Sequence, residues 1–343
     1  MKNILFSKDN SIRNAMKKLN KTAYKCILIV DDNSRLLGTL SDGDIRSALL
    51  KGFVLSDDIK KIYNPKPFKL IIDNYSIPQV KKIFLENKFD LIPIVNQEEV
   101  VVEFLVWEKV FGDKKKSMKS LSDTSVIIMA GGRGTRLKPF TNIFPKPLVP
   151  INDKTIIEII INYFVDYQCN DFYLTLNYKS KILKAYFEEL KPSYNISYFD
   201  EKTPLGTAGS LEYFKNKFNA PFFVTNCDII IKADYHALMK YHINQGFDIT
   251  LVASAKEYTI PYGTCELDEF GNLLQINEKP TYDFLINAGM YVLNPDILEF
   301  IPKNKFYHIT QLISDAREHG KKIGVFPIHE DDWIDVGQWA EYK

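Results

Sequence analysis

An apolar run, 125-SVIIMA-130, breaks directly into a glycine-rich, basic stretch, 129-MAGGRGTRLKPFTNIFPKPLVP-150. Gly131, Gly132 and Gly134 can take positive φ and let backbone N–H groups approach an anion. Arg133, Arg136, Lys138 and Lys146 lie in or near the same run. A strand that empties into such a loop predicts a phosphate cradle beyond the carboxyl end of an α/β sheet. Several cations converge with the N–H donors, so a polyphosphate is the expected ligand. A tight surface turn with solvated arginines is the plain alternative. The Walker string is absent, and Leu137 stands where a dinucleotide fingerprint needs its third glycine. HRD and DFG are also absent, which excludes a protein kinase.

The rest of the chain agrees with an α/β sheet. Strand candidates at 171–177, 221–230 and 248–254 alternate with helical patterns at 153–168 and 180–190. That alternation predicts a Rossmann-like, mixed, mostly parallel sheet with helices on both faces. The first part looks repeated. Helix 10–20, strands 26–30 and 36–40 and a helix from Asp42 are echoed by helix 76–87, strands 91–95 and 101–106 and a short helix. Each α-β-β-α copy is too small to bury its own apolar face, so the two should pack together. The polar run 113-DKKKSMKSLSDT-124 reads as a linker. The expected domains are 1–112, with repeats of about 1–55 and 56–112, and 125–343.

Charge and cysteine usage narrow the function. Basic residues number 44 and acidic ones 43, which argues against a nucleic-acid binder. No apolar run approaches the ~18 residues of a membrane span. The opening 20 residues lack the apolar core of a secretory leader. Cys26, Cys169, Cys227 and Cys265 are scattered without a CxxC pair, so neither disulfides nor a zinc site are expected, and a cytoplasmic location is.

Asp228 closes an apolar run at the expected carboxyl end of a strand. An acid there suits a magnesium ligand, and a helix N-cap is its bland alternative. The signature GGRGTRLKPFT…PKPLVPI resembles that of the sugar-phosphate nucleotidyltransferases. Further landmarks follow in family order: 204-PLGTAGS-210, 226-NCD-228, 262-YGTCELDEFGNL-273, 278-EKP-280, 287-NAGMYVL-293 and 333-WIDVG-337. The resemblance covers about residues 125–343. It implies transfer of a nucleoside monophosphate from an NTP to a sugar 1-phosphate, with Mg²⁺ as cofactor. Arg136, Lys146 and Asp228 are then the catalytic candidates. Ala130, Gly131, Gly132, Gly134, Thr135, Arg136, Glu201, Gly206, Thr207 and Asp228 would hold the nucleotide. Gly263, Glu278, Lys279, Asn287 and Thr310 would hold the sugar phosphate, and Asp228 and Asp335 the metal. The sequence departs from the family pattern at Phe140, where leucine is commoner, and at Cys227, where a smaller residue is usual.

The N-terminal repeats resemble a tandem CBS pair. Ser41 and Asp44, in 38-GTLSDGDIRSALL-50, match the adenosine-ligand pattern, so an adenine nucleotide is one expected partner. Simple helix capping by the same two residues is the other reading. Val106 and Lys109 stand at the matching places of the second repeat, and a lysine cannot accept a ribose hydroxyl. The pair also implies a homo-oligomer. A CBS pair joined to a transferase resembles guanylyltransferases of bacterial surface-sugar pathways. That implies GTP and glucosamine 1-phosphate, giving GDP-glucosamine for legionaminic acid. Mannose 1-phosphate with GTP and glucose 1-phosphate with UTP or dTTP stay open. So does a catalytically dead, nucleotide-sensing regulator.

Overall fold

The computed structural model describes residues 4–22, 24–87, 89–106, 109–110 and 121–337. The chain falls into two units, residues 1–118 and 119–343. Among the described residues no helix is long and apolar enough to cross a membrane.

In the first unit, β1 (Leu5–Ser7) runs parallel to β2 (Cys26–Val30), and the helix Ile12–Thr22 connects them. β2 then pairs antiparallel with β3 (Leu36–Ser41), and the helix Asp42–Leu50 follows. The second repeat takes the same course. β4 (Leu70–Ile71) runs parallel to β5 (Leu91–Val95), with the helix Ile77–Asn87 between them, and β5 pairs antiparallel with β6 (Val101–Val106). The copies match in detail. Each hairpin has an irregularity at the same place, Ile29/Val30 in one and Ile94/Val95 in the other. Asp31 Oδ1 accepts the N–H groups of Asn33 and Arg35, as Asn96 Oδ1 accepts those of Glu98 and Val100. The two turns also bond to each other, Leu36 N to Glu99 O at 2.9 Å and Val101 N to Ser34 O at 3.0 Å. Leu28 and Val30 share one buried cluster with Leu91, Val95 and Phe104. Pairing thus gives the repeats a shared core, and Leu70, Val80, Phe84, Ile92, Ile94 and Leu105 form a further cluster within the second repeat. The short helix expected after Val106 falls largely outside the described residues.

The second unit introduces β7 (Val126–Ala130), β8 (Pro150–Ile151), β9 (Lys154–Thr155), β10 (Asp171–Leu176), β11 (Asn195–Asp200), β12 (Phe222–Asn226), β13 (Ile229–Ile231), β14 (Ile249–Thr259), β15 (Thr264–Leu267), β16 (Leu273–Asn277), β17 (Thr281–Leu293), β18 (Ile323–His329) and β19 (Trp333–Asp335). Seven of them form one sheet in the order β11-β10-β7-β12-β17-β14-β18. Its pairs are parallel except β12–β17 and β14–β17, so the mixed, mostly parallel sheet is present. β7 is buried on both sides. Val126, Ile128 and Ala130 enter one core, and Ile127 and Met129 the other. That is why its sequence is a continuous apolar run rather than an alternating one.

Three differences from the sequence reading have local causes. The helix expected over 153–168 is Ile156–Val165, because Thr155 and Glu158 form a reciprocal capping box that sets its start. Leu121, expected in a linker, is buried in the core of the second unit and its N–H bonds to Tyr167 O at 3.1 Å. The rest of the expected linker, 113–120, lies outside the described residues. The run 221–230 is two strands rather than one. β12 stays in the main sheet, whereas β13 turns away after Cys227–Asp228 and pairs antiparallel with β19.

Phe164 lies fully buried where the helix Ile156–Val165 meets the sheet, with its ring against Phe172, Phe223 and Tyr235. Phe164→Ala should destabilise the second unit by about 3–5 kcal/mol. Urea unfolding followed by tyrosine and tryptophan fluorescence will read this as a lower midpoint for that unit's transition.

Candidate active site

The site grows from the carboxyl ends of β7 and β12. After Ala130 the chain leaves β7 into the glycine loop. Gly134 has φ +62°, and a Cβ there would sit 2.8 Å from the Lys146 Cβ and 2.9 Å from the Thr141 Cγ2. Glycine is needed for the backbone conformation and for the close approach of the Lys146 stem. Thr141 Oγ1 donates to Gly134 O at 2.9 Å and holds the loop down. Leu137, which broke the dinucleotide fingerprint, points into the core and is buried. Lys146 is set between Pro145 and Pro147 at the start of a short 3₁₀ turn.

The departure of β13 from the main sheet brings the two acids together. Ile229 pairs with Asp335 in the β13–β19 register, and Val336 N bonds to Asp228 O at 3.0 Å. A Cβ on Gly337 would lie 2.6 Å from Asp228 Oδ2, 2.8 Å from Asp335 Oδ1 and 3.1 Å from Lys146 Nζ. Lys146 Nζ donates to Asp228 Oδ2, and Asp335 Oδ1 accepts the Gly337 N–H at 2.9 Å. These groups face a cavity of about 380 Å³. Gly134, Thr135, Arg136, Lys146, Asp228, Asn287 and Asp335 all line it, as do Asn226, Ile229, Ala288, Gly289, Trp333 and Gly337. Segments far apart in sequence therefore share one cleft.

The two carboxylates fit a magnesium ion. Both line the same cavity and approach each other beside Gly337, and carboxylate oxygens are the hard donors that Mg²⁺ prefers. Among the described residues no cluster of three His, Cys, Asp or Glu side chains is arranged as a metal cage. Mg²⁺ needs few protein ligands when phosphates and water supply the others.

Residues 125–343 match the family model described as nucleotidyl transferase, and residues 2–51 match the CBS domain. The chain belongs to the nucleotidyl transferase family. It is 34% identical over 229 residues to the mannose-1-phosphate guanyltransferase of Pichia angusta, covering 63% of this chain and 61% of that protein. It is 36% identical over 234 residues to the mannose-1-phosphate guanylyltransferase catalytic subunit beta of Drosophila melanogaster, covering 64% and 61%. The chain thus spans about three-fifths of the length of these curated relatives. The crystal structure of HddC from Yersinia pseudotuberculosis superposes with a TM-score of 0.50 at 26% identity, covering 64% of this chain and 96% of that one.

The other candidates lie outside the cavity lining. Ala130 ends β7 and is buried. Gly131 faces Glu201, whose Oε1 would be 2.9 Å from a Cβ there, and Gly132 faces open space. Gly206 and Thr207 are tied to the segment before the helix Ile309–Glu318. A Cβ on Gly206 would meet Tyr307 O at 2.6 Å. Thr207 Oγ1 accepts the Ile309 N–H at 3.0 Å, so its hydroxyl serves that helix end. Thr310, one residue further, is exposed. Gly263 and Glu278 meet at the base of the β15–β16 hairpin, with Glu278 Oε2 3.1 Å from a Cβ on Gly263. Lys279 beside them is exposed with φ +45°. Of the sugar-phosphate candidates, only Asn287 reaches the cavity lining. β15 and β16 form a separate two-stranded sheet, and Gly263, Glu278 and Lys279 at its flanks are not part of the lining.

Ser41 and Asp44 form a reciprocal capping box on the helix Asp42–Leu50. Asp44 Oδ2 accepts from Ser41 N at 2.8 Å and Ser41 Oγ at 2.6 Å, and Asp44 N donates back to Ser41 Oγ at 3.1 Å. Capping accounts for these contacts, which engage the Oδ2 oxygen of Asp44. Cys227 is buried, and that burial, with the neighbouring Asp228 charge, pushes its thiol up to about 12. Burial and a raised thiol both disfavour the thiolate that a nucleophilic cysteine needs. Sequence reasoning passed over Asn226, Gly289, Trp333 and Gly337 as individual residues. Asn226 is held close to Gly289, whose φ is +80° and whose added Cβ would lie 2.6 Å from Asn226 Nδ2. Their signal was membership of the NCD, NAG and WIDVG runs, in which attention went to the charged or amide member.

Glu201 is buried rather than solvated, at 8% exposure. Its Oε2 accepts the Leu205 N–H at 3.1 Å. Burial raises its carboxyl above the ordinary 4.5, and the Leu205 hydrogen bond opposes the rise. A carboxyl raised in the folded state keeps its proton after the unfolded chain has lost it. Its contribution to stability is therefore complete below 4.5 and fades as pH climbs through the raised value. Glu201→Gln has no proton to lose. Urea midpoints measured from about pH 4 to about pH 7 should show the wild type losing ground to Glu201→Gln as pH rises; parallel curves would show that this ionisation does not matter.

Proposed function

We propose that the protein transfers GMP from GTP to a sugar 1-phosphate and releases pyrophosphate. The observation that carries this reading is the meeting of Lys146, Asp228 and Asp335 beside Gly337, in one cavity with the glycine loop. GTP as the nucleotide is supported by relatives named guanylyltransferases. Glucosamine 1-phosphate as acceptor is the reading supported by the resemblance of a CBS unit joined to this transferase domain. Mannose 1-phosphate is the second reading, favoured by the names of those relatives. The product would enter nucleotide-sugar biosynthesis, and with glucosamine the legionaminic acid route.

The chemistry explains why these side chains are grouped. A phosphate oxygen of the sugar phosphate attacks the α-phosphorus in line. One P–O bond forms, the bond to the β-phosphate bridge breaks, and pyrophosphate carries away the electron pair. Both reactants are anions, so positioning and charge neutralisation dominate the barrier. The glycine loop N–H groups and Arg136 would hold the triphosphate. Lys146 would face the α-phosphate as negative charge grows there. Asp228 and Asp335 would hold Mg²⁺, which when bound screens the phosphate charges from one another. Asn226, Asn287 and Trp333 border the remaining volume and would orient the acceptor. In the first unit, Ser41 and Asp44 are the proposed contacts for an adenine nucleotide, and the repeats a proposed surface for self-association.

Pyrophosphate release measured with Mg²⁺, each of GTP, UTP and dTTP, and a panel of sugar 1-phosphates tests the reading. The expected result is release with GTP and glucosamine or mannose 1-phosphate. Asp228→Ala should lower turnover by at least about 10²–10³-fold with unchanged circular dichroism. No release with any pair would leave the nucleotide-sensing regulator as the better account.

A further inference from the structure

Lys146 Nζ is paired with Asp228 Oδ2, and the two side chains are only 16% and 17% exposed. The ammonium also lies 3.1 Å from the point beside Gly337 on which Asp228 Oδ2 and Asp335 Oδ1 converge. A cation of the chain itself is therefore paired with one of the two candidate metal carboxylates and stands near the other. Solvent and salt screen such a half-buried group far less than an exposed one. The root of the side chain is fixed, since its Cβ packs against Gly134 and prolines flank it on both sides. Its outer carbons carry the freedom that a lysine stem retains, so the charge can swing while the backbone stays.

We propose that Lys146 is a tethered counter-ion that holds the Asp228–Asp335 pair closed to a bare divalent ion and moves onto the nucleotide phosphates when metal and nucleotide arrive together. The inference rests on the nucleotidyl-transfer reading of the same site. Two carboxylates attract a divalent ion with two negative charges, and the ammonium cancels one of them. A bare ion entering would leave the ammonium without its anion, and an unpaired charge in a half-buried site is costly. A triphosphate removes that difficulty because it offers the ammonium a new anionic partner. Metal and nucleotide therefore assist each other's binding. An ordinary structural ion pair would produce no such coupling. It would only make the site weaker or less stable when removed.

Mn²⁺ binding to the full chain, followed by the loss of the free-ion signal in electron paramagnetic resonance, reads this directly. The measurement is made with Mn²⁺ alone and again with α,β-methylene GTP. Wild type should bind Mn²⁺ at least about 10-fold more tightly with the nucleotide than without it. Lys146→Gln should bind Mn²⁺ alone about 10-fold more tightly than wild type does, and show less gain from nucleotide. Lys146→Arg, which keeps the charge, should stay close to wild type. Adding Asp228→Ala to Lys146→Gln should abolish the gain, which ties the probe to this site. The proposal is overturned if Lys146→Gln, folded by circular dichroism, binds Mn²⁺ alone no more tightly than wild type, or if Lys146→Arg tightens binding as much as Lys146→Gln. The underlying reading fails differently: wild type would then bind no Mn²⁺–nucleotide and release no pyrophosphate.

Discussion

The short antiparallel pairing of β13 with β19 is the constraint on which the cavity depends. Had the apolar run 221–230 continued in the main sheet, Asp228 would have been one more residue in a strand. Instead the chain turns at Cys227–Asp228, and β13 crosses to meet the segment after β18. The register of three residue pairs then puts Asp228 and Asp335 at one point. Buried isoleucines at 229, 230 and 231 hold the strand in the core, so apolar packing fixes the separation of the acids.

Glycine shapes the site in two distinct ways. At 134 it permits a left-handed backbone and the passage of the Lys146 stem. At 337 no positive φ is involved, and the absent side chain leaves the space that both carboxylates and the ammonium face. One role concerns backbone conformation and the other concerns volume. Together they allow opposite charges to gather in a cleft whose walls are closely packed.

Much of this was legible in advance where function requires a contiguous run. The glycine loop, Lys146 between prolines and Asp228 after an apolar stretch are all marked by local spacing. The doubled first unit was legible from its repeated order of elements, and its two matching turns follow from Asp31 and Asn96 standing at equivalent places. The long pairing of β14 with β17 was not, because an antiparallel partner some thirty residues away leaves no mark on either strand alone. Nor was the burial of Glu201, since a carboxylate stays inside only when the fold supplies a partner such as the Leu205 N–H.

The sequence by itself determined the class of the protein: an α/β sheet, a glycine loop at the end of one of its strands, and a duplicated unit ahead of them. Those features depend on periodicity and on neighbours within a few residues, which a linear chain displays openly. Tertiary structure alone decided which of the candidate residues share a cavity. It drew Lys146, Asp228, Asn287 and Asp335 together, sent Thr207 to cap a helix, and left Glu278 and Lys279 in the connection from β16 to β17, outside the cavity lining. The physical reason is that charge chemistry acts over a few ångströms of space, and strand register and apolar packing, rather than sequence order, set those distances.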